Sequence, residues 1–277
     1  MELTQANYYS LEADRAYMSV SQYKSWCKCP AAELAKQAGE WSPELAEEPI
    51  YFTVGKYVDN ALTETPEVFE QFKQDNSSLI LAKSGKNKDG PKAPFVQADK
   101  MIARVRSDPA MMAVLSGETQ MILTPIINGV QFKCKLDVVL YPKVQAFTDL
   151  KTAKDFGYEW TSKQSLGGKP LNIKVEWYDK YWQQLAVYRE ALFQKYDVHL
   201  LPLIAGVTKQ NVPDIDIRTF GNERRLKYEL SVGLIMLDHI MKQKNGEIEA
   251  ERCEHCDYCK KTKILDLDSL PRAKSDI

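Results

Sequence analysis

The residues best equipped for chemistry in this sequence are two aspartates and a lysine: Asp137, and the pair Asp149 and Lys151 within Asp149-Leu150-Lys151-Thr152. Strand side chains alternate between faces, so Asp149 and Lys151 share one side and Leu150 takes the other. Two acids with no obvious partner base suit a hard divalent cation, Mg2+ or Mn2+, held through oxygen. Such a cation neutralises charge developing on a phosphate and acidifies a water, and a nearby ammonium orients that water. The set reads as a metal-dependent centre for phosphodiester hydrolysis. Taken alone, an Asp-x-Lys tripeptide is more simply a surface ion pair worth roughly 0–1 kcal/mol. Its place at the end of an apolar strand, beside a second strand with an inward acid, favours the chemical reading.

Gln184 and Tyr188 lie four apart on a helix and so project from one face. There an amide and a phenol could bond a substrate phosphate or brace the lysine; a core tyrosine beside a boundary glutamine explains them equally well. Cys253, Cys256 and Cys259 form a Cys-x-x-Cys-x-x-Cys run, with Cys27 and Cys29 far upstream. Three thiols so closely spaced point to a tetrahedral ion or cluster that needs a fourth ligand. Either early cysteine or His255 could supply it. If Cys29 does, the site staples distant parts of the chain rather than performing chemistry.

The elements that must position these groups can be read from periodicity. Val130, Phe132, Cys134, Leu136, Val138 and Leu140 alternate along one strand face, with Asp137 on the other among Gln131, Lys133 and Lys135. Asn128-Gly129 predicts a tight hairpin joining 120–127 to 130–140, and a third strand runs from Val144 to Lys151. Two short helices are expected over Ser19–Gln37, the second opening at Pro30. Further helices are expected over 51–62, with Phe52, Val54, Tyr57, Val58, Ala61 and Leu62 apolar, and over 95–106, 109–115 and 179–196. A long helix is expected over 222–243 with Leu226, Leu230, Leu234, Leu237 and Met241 on its core face. Strands are expected at 200–207 and 214–219, an irregular cover over 156–177, a loop over 83–94 and a frayed tail past Leu265. The fold class that follows is α/β, a mixed central sheet flanked by helices.

The chain has 277 residues, 44% hydrophobic and 27% charged, with a net charge of −1. Nucleic acid would therefore meet local basic clusters rather than a basic surface: Lys83, Lys86, Lys88 and Lys92, or Lys151, Lys154, Lys163 and Lys169. The first cluster reads as solvated loop lysines. No apolar run reaches about 18 residues, so no membrane span is expected. The first residues lack a secretory pattern, which makes a cytosolic protein the default and metal ligation the first reading of the thiols.

Asp137, then Asp149-Leu150-Lys151-Thr152, then Gln184-x-x-x-Tyr188 resembles the PD-(D/E)XK nuclease superfamily in its RecB-like branch. Within that branch the chain looks most like phage-associated RecE-type exodeoxyribonucleases, encoded beside a single-strand annealing protein. The resemblance implies one nuclease domain spanning the chain. Its helices over about 19–62 and its cysteine motif at 253–259 would be brought together by the thiolate site. It implies that Asp137, Asp149 and the Leu150 carbonyl ligate Mg2+ or Mn2+, that Lys151 is catalytic, and that Gln184 and Tyr188 act near DNA or the lysine. The family's Gly-x-x-x-His ligand motif is matched by Gly55-Lys56-Tyr57-Val58-Asp59, with aspartate for histidine. Cys29, Cys253, Cys256 and Cys259 are similar to the 4Fe-4S ligands of nucleases of the AddB type, with zinc the alternative. The implied activity is exonucleolytic hydrolysis of linear duplex DNA in phage-type recombination, with room for a homo-oligomer. A non-catalytic DNA-binding or assembly module that keeps the fold and the cysteines is the competing class.

Overall fold

A computed structural model describes residues 1–42, 50–85, 87–163 and 171–265, without the side chains of 161–163, 171 and 172. Lys86, Lys169 and the tail past Leu265 lie outside the described residues, as does the side chain of Lys163. The chain forms two compact units: Met1–Tyr8 with Leu45–Ile235, and Tyr9–Glu44 with Met236–Ile277.

The strands are β1 (Glu118–Leu123), β2 (Ile126–Ile127), β3 (Val130–Gln131), β4 (Cys134–Val139), β5 (Ala146–Ala153), β6 (Tyr158–Lys163), β7 (Leu171–Glu176), β8 (Leu201–Thr208) and β9 (Ile215–Thr219). Five of them form a mixed sheet in the order β1-β4-β5-β8-β9, parallel only between β5 and β8. Flanking helices complete the α/β class expected from the sequence.

The helices are α1 (Leu11–Ala16), α2 (Val20–Lys28), α3 (Pro30–Ala38), α4 (Ile50–Thr63), α5 (Pro66–Asp75), α6 (Ser77–Ile80), α7 (Ala93–Arg106), α8 (Pro109–Val114), α9 (Trp182–Tyr196), α10 (Glu223–Ser231), α11 (Leu237–Lys244) and α12 (Asp257–Lys261). Local chemistry sets several of their ends. Ser19 caps α2 by accepting from the Gln22 amide, Asp108 caps α8, and Pro30 and Pro109 occupy first turns where a missing N–H costs nothing.

In the larger unit, α4 and α7 cover one sheet face. Val54, Tyr57, Val58, Phe95, Met101 and Ile102 pack there with Val138, Leu150, Ala205 and Val207. Because α4 carries Asp59 on the turn after Gly55, this packing also sets a carboxyl beside the sheet. Phe52, placed on the α4 stripe by sequence, is 54% exposed, so the stripe runs through Val54, Tyr57, Val58 and Ala61 instead.

Three other expectations change. The strand 130–140 is broken at Phe132–Lys133: β2 and β3 form a small hairpin of their own, closed by Asn128 (φ 49°) and Gly129 (φ 79°). The break lets the Lys133 ammonium, buried, reach the Tyr8 carbonyl at 2.6 Å. The segment 156–177, expected to be irregular, holds the antiparallel pair β6–β7 among its described residues. The helix 222–243 is interrupted by a 3-10 turn over Val232–Leu234, where Gln183 of α9 donates to the Gly233 carbonyl at 2.7 Å. Leu226, Leu234 and Leu237 are buried, while Leu230 and Met241 are only half-buried.

No helix among the described residues is long and apolar enough to cross a membrane.

Candidate active site and thiolate centre

β4 and β5 pair antiparallel with Val138 opposite Thr148 and Val139 opposite Phe147. Carried one residue further, that register sets Asp137 opposite Asp149, and directly opposed residues share a face. Lys151, two residues on, takes the same side. The three groups expected to converge therefore lie together on the face away from Val138 and Leu150.

Each acid has a different partner. The Leu150 amide donates to Asp137 Oδ2 at 2.7 Å, and the Gln184 amide donates to Asp149 Oδ1 at 3.1 Å. Asp149 is 2% exposed. Its Oδ2 lies 2.5 Å from Lys151 Nζ but is buried without a hydrogen bond of proper angle, leaving acceptor capacity unused. Burial, the Asp149 charge and the Asp59 charge hold the Asp137 carboxyl well above the usual carboxylate range. Burial likewise raises Asp59, with Lys151 pulling the other way. For Lys151 itself burial works to lower the pKa, but Asp149 and Asp137 outweigh it and keep the ammonium charged.

A cavity of about 260 Å³ opens beside these groups, lined by Gly55, Lys56, Asp59, Asp137, Leu150, Lys151 and Thr152. Asp59 of α4 thus joins the site, in the position where aspartate stands for the motif histidine. Three carboxyls gathered about Lys151, with acceptor capacity left on Asp149, form an oxygen-rich donor set that fits a hard dication. Tyr188 is half-buried, and its phenol pKa is raised, first by desolvation and then by nearby charges that include Asp149 and Asp137. It is a neutral group inside the site's field.

Among the described residues of the basic clusters, Lys151 alone lines the cavity. Lys83, Lys88 and Lys154 are exposed, and Lys92 is tied to the Ser78 carbonyl at 3.1 Å. Sequence reasoning missed four site residues. Lys56 stands on the cavity wall, and the Tyr181 ring lies 5.3 Å from Lys151 Nζ. Gln120 and Thr63 surround Asp59: Gln120 Nε2 approaches Asp59 Oδ2 at 3.3 Å, and Thr63 Oγ1 approaches Oδ1 at 3.2 Å. Lys56 lay within a motif already noted; the others belong to no spacing pattern.

The smaller unit holds the thiols. Cys29, at the start of α3, and Cys253, Cys256 and Cys259, around α12, bring their sulfurs within 4.8 Å of one another. Cys29 Sγ lies 3.6 Å and Cys253 Sγ 3.9 Å from Cys259 Sγ. The Ala31 amide bonds the Glu251 carbonyl at 3.1 Å, which draws the two segments together. Backbone amides of His255 and Cys256 donate to Cys253 Sγ at 3.5 and 3.3 Å. Burial opposes them, yet these amides bring the Cys253 thiol down to about 6, while burial pushes Cys29 up to about 12. Cys27 and the His255 side chain stand outside the four-sulfur group.

Residues 19–262 match the family described as a PDDEXK-like domain of unknown function (DUF3799). The crystal structure of a "Putative exonuclease" from Eubacterium rectale superposes with a TM-score of 0.83 at 33% sequence identity, covering 100% of this chain and 98% of that one. No curated protein matches.

Proposed function

We propose, for a chain that belongs to the PDDEXK-like DUF3799 family, that it is a divalent-cation-dependent nuclease hydrolysing DNA phosphodiester bonds. The carrying observation is the cross-strand opposition of Asp137 and Asp149 with Lys151 on the same face, all at one cavity. Asp137, Asp149 and Asp59 would hold the cation, with the Leu150 carbonyl as a further oxygen. Bound there, Mg2+ or Mn2+ would offset phosphate charge and acidify a water. Lys151, kept protonated by its acids, orients the attacking water and faces the charge growing on the phosphate. Gln184 fixes the Asp149 carboxylate, the half-buried Tyr188 phenol stands beside it, and Lys56 meets phosphate at the cavity wall.

Exonucleolytic action on linear duplex ends is the narrower form of this proposal, supported by the name of the Eubacterium rectale neighbour. A role in phage-type recombination beside an annealing protein rests on the resemblance of the motifs alone. Linear duplex DNA is incubated with Mg2+ or Mn2+, with wild type and Lys151→Ala compared and chelator as control. An inert wild type, or equal cleavage by both proteins, would sink the reading.

For the thiolate centre the spacing favours one tetrahedral ion over the expected 4Fe-4S cluster. Four sulfurs about 2.3 Å from a single zinc stand roughly 3.8 Å apart, close to the 3.6 and 3.9 Å separations here. A four-iron cube carries one thiolate on each outer corner and needs them wider apart. Metal analysis of protein purified anaerobically decides: stoichiometric zinc without colour supports the single ion, and iron with visible charge-transfer bands supports the cluster.

A further inference from the structure

Gln120 does something no strand residue needs to do. It lies within β1, where its neighbours Thr119 and Met121 pair with Val138 and Leu136, so it stands beside Asp137. Yet its φ is +55°, the left-handed region that a residue with a Cβ enters only when its surroundings hold it there. Its carbonyl accepts from the Gln5 side chain at 2.7 Å. Its amide side chain, 5% exposed, donates to Thr63 Oγ1 at 2.7 Å and towards Asp59 Oδ2 at 3.3 Å. Thr63 in turn donates to the Asp59 backbone carbonyl at 2.9 Å, one turn back along α4, with Asp59 Oδ1 sharing that proton at 3.2 Å.

A carboxylate offers about four acceptor sites, two on each oxygen. Gln120 occupies one on Oδ2, and the Thr63 proton, shared with the Asp59 backbone carbonyl, leans on Oδ1, so both oxygens keep a lone pair to present elsewhere. Asp59 lines the cavity that Asp137 and Lys151 line. Both donors are neutral. They fix the carboxylate without cancelling its charge, as an arginine or lysine in their place would. A strained backbone next to Asp137 that ends in an amide on Asp59 links two of the three acids of the site.

We propose that Gln120, with Thr63, is a positioning residue that aims the Asp59 carboxylate at the cation; this rests on reading the acid cluster as a cation site. The left-handed conformation at 120 is then kept because it delivers the amide, and glycine separates the two effects. Gln120→Gly relieves the backbone while deleting the donor.

The test is Mn2+ binding, followed by the signal of the free ion without DNA, for wild type, Gln120→Gly, Asp59→Asn, the double variant and Asp149→Asn. Thermal unfolding in chelator checks that each folds. Gln120→Gly is expected to weaken Mn2+ binding roughly 10-fold or more, and the double variant to bind no more weakly than Asp59→Asn alone. Wild-type affinity in Gln120→Gly alongside weakened Asp59→Asn overturns the proposal. Unchanged binding in Asp59→Asn, with Asp149→Asn impaired, also overturns it but leaves the two-acid centre standing. Unchanged binding in Asp149→Asn removes the cation-site reading itself. If Gln120→Gly does not fold, Thr63→Val, which removes the other donor at similar volume, takes its place with the same two outcomes.

Discussion

Lys151 Nζ sits 2.5 Å from Asp149 Oδ2, and the oxygen it approaches is the one that accepts no hydrogen bond of proper angle. The ammonium is held by this ion pair, and the Gln184 amide anchors the carboxylate's other oxygen. A lysine held this way stays charged yet can shift towards a phosphate. Lys151→Ala is expected to lower single-turnover cleavage by roughly 10²–10⁴-fold while keeping Mn2+ binding. Lys151→Arg should not restore the rate, because a planar fork does not replace a point charge. Wild-type cleavage in either variant would contradict this.

Asp59, Asp137 and Asp149 crowd together around Lys151, so the metal-free protein holds like charges close that a cation relieves. Asp137→Asn keeps an oxygen to accept from the Leu150 amide and removes one of the repelling charges. Chelated Asp137→Asn protein should be more stable than wild type by roughly 0.5–2 kcal/mol, and should lose the rise in Tm that Mg2+ or Mn2+ gives wild type. Thermal melts with and without chelator measure both.

Cys29→Ser should lose the metal of the thiolate centre and lower the Tm, since one of four sulfurs is removed from a site shared by two distant segments. Cys27→Ser, only two residues away, should retain metal at wild-type stoichiometry. Elemental analysis of the two purified variants separates them, and equal metal loss would contradict the assignment.

Glu33 is buried, with Gln37 at 3.4 Å, Lys36 at 3.9 Å and the charges of Asp14 and Lys244 acting on it, and burial raises its pKa above the carboxylate norm. For an acid raised on folding, the stabilising contribution is complete below the unfolded value of about 4.3 and fades as pH climbs through the folded value. Glu33→Gln should therefore gain stability at neutral pH, by roughly 0.5–1 kcal/mol, and show no gain near pH 4. Urea melts at the two pH values read the difference; a gain that grows on acidification would refute it.

Sequence carried the centre well for a physical reason. Period-two alternation and the Asn128-Gly129 turn restrict which strands meet, so Asp137 and Asp149 had few ways to miss one another. Gln120 was out of reach because its role depends on a left-handed backbone that glutamine does not favour. The β6–β7 pair was hidden by Gly167-Gly168-Lys169, whose composition reads as loop, although Leu171, Ile173 and Val175 alternate. The spacing of Leu226, Leu230, Leu234, Leu237 and Met241 is truly helical. What breaks the helix is tertiary: a side chain from α9 claims the Gly233 carbonyl.

The smaller unit is assembled from Tyr9–Glu44 and Met236–Ile277, with most of the larger one encoded between them. On a ribosome, Cys29 emerges 253 − 29 = 224 residues before Cys253. At about 5–20 residues per second, that is a wait of roughly 10–45 s. Through that interval the early helices have no closing segment, and their thiol is open to oxidation or to a chaperone. Newborn chains should thus depend on reducing conditions more than finished ones do.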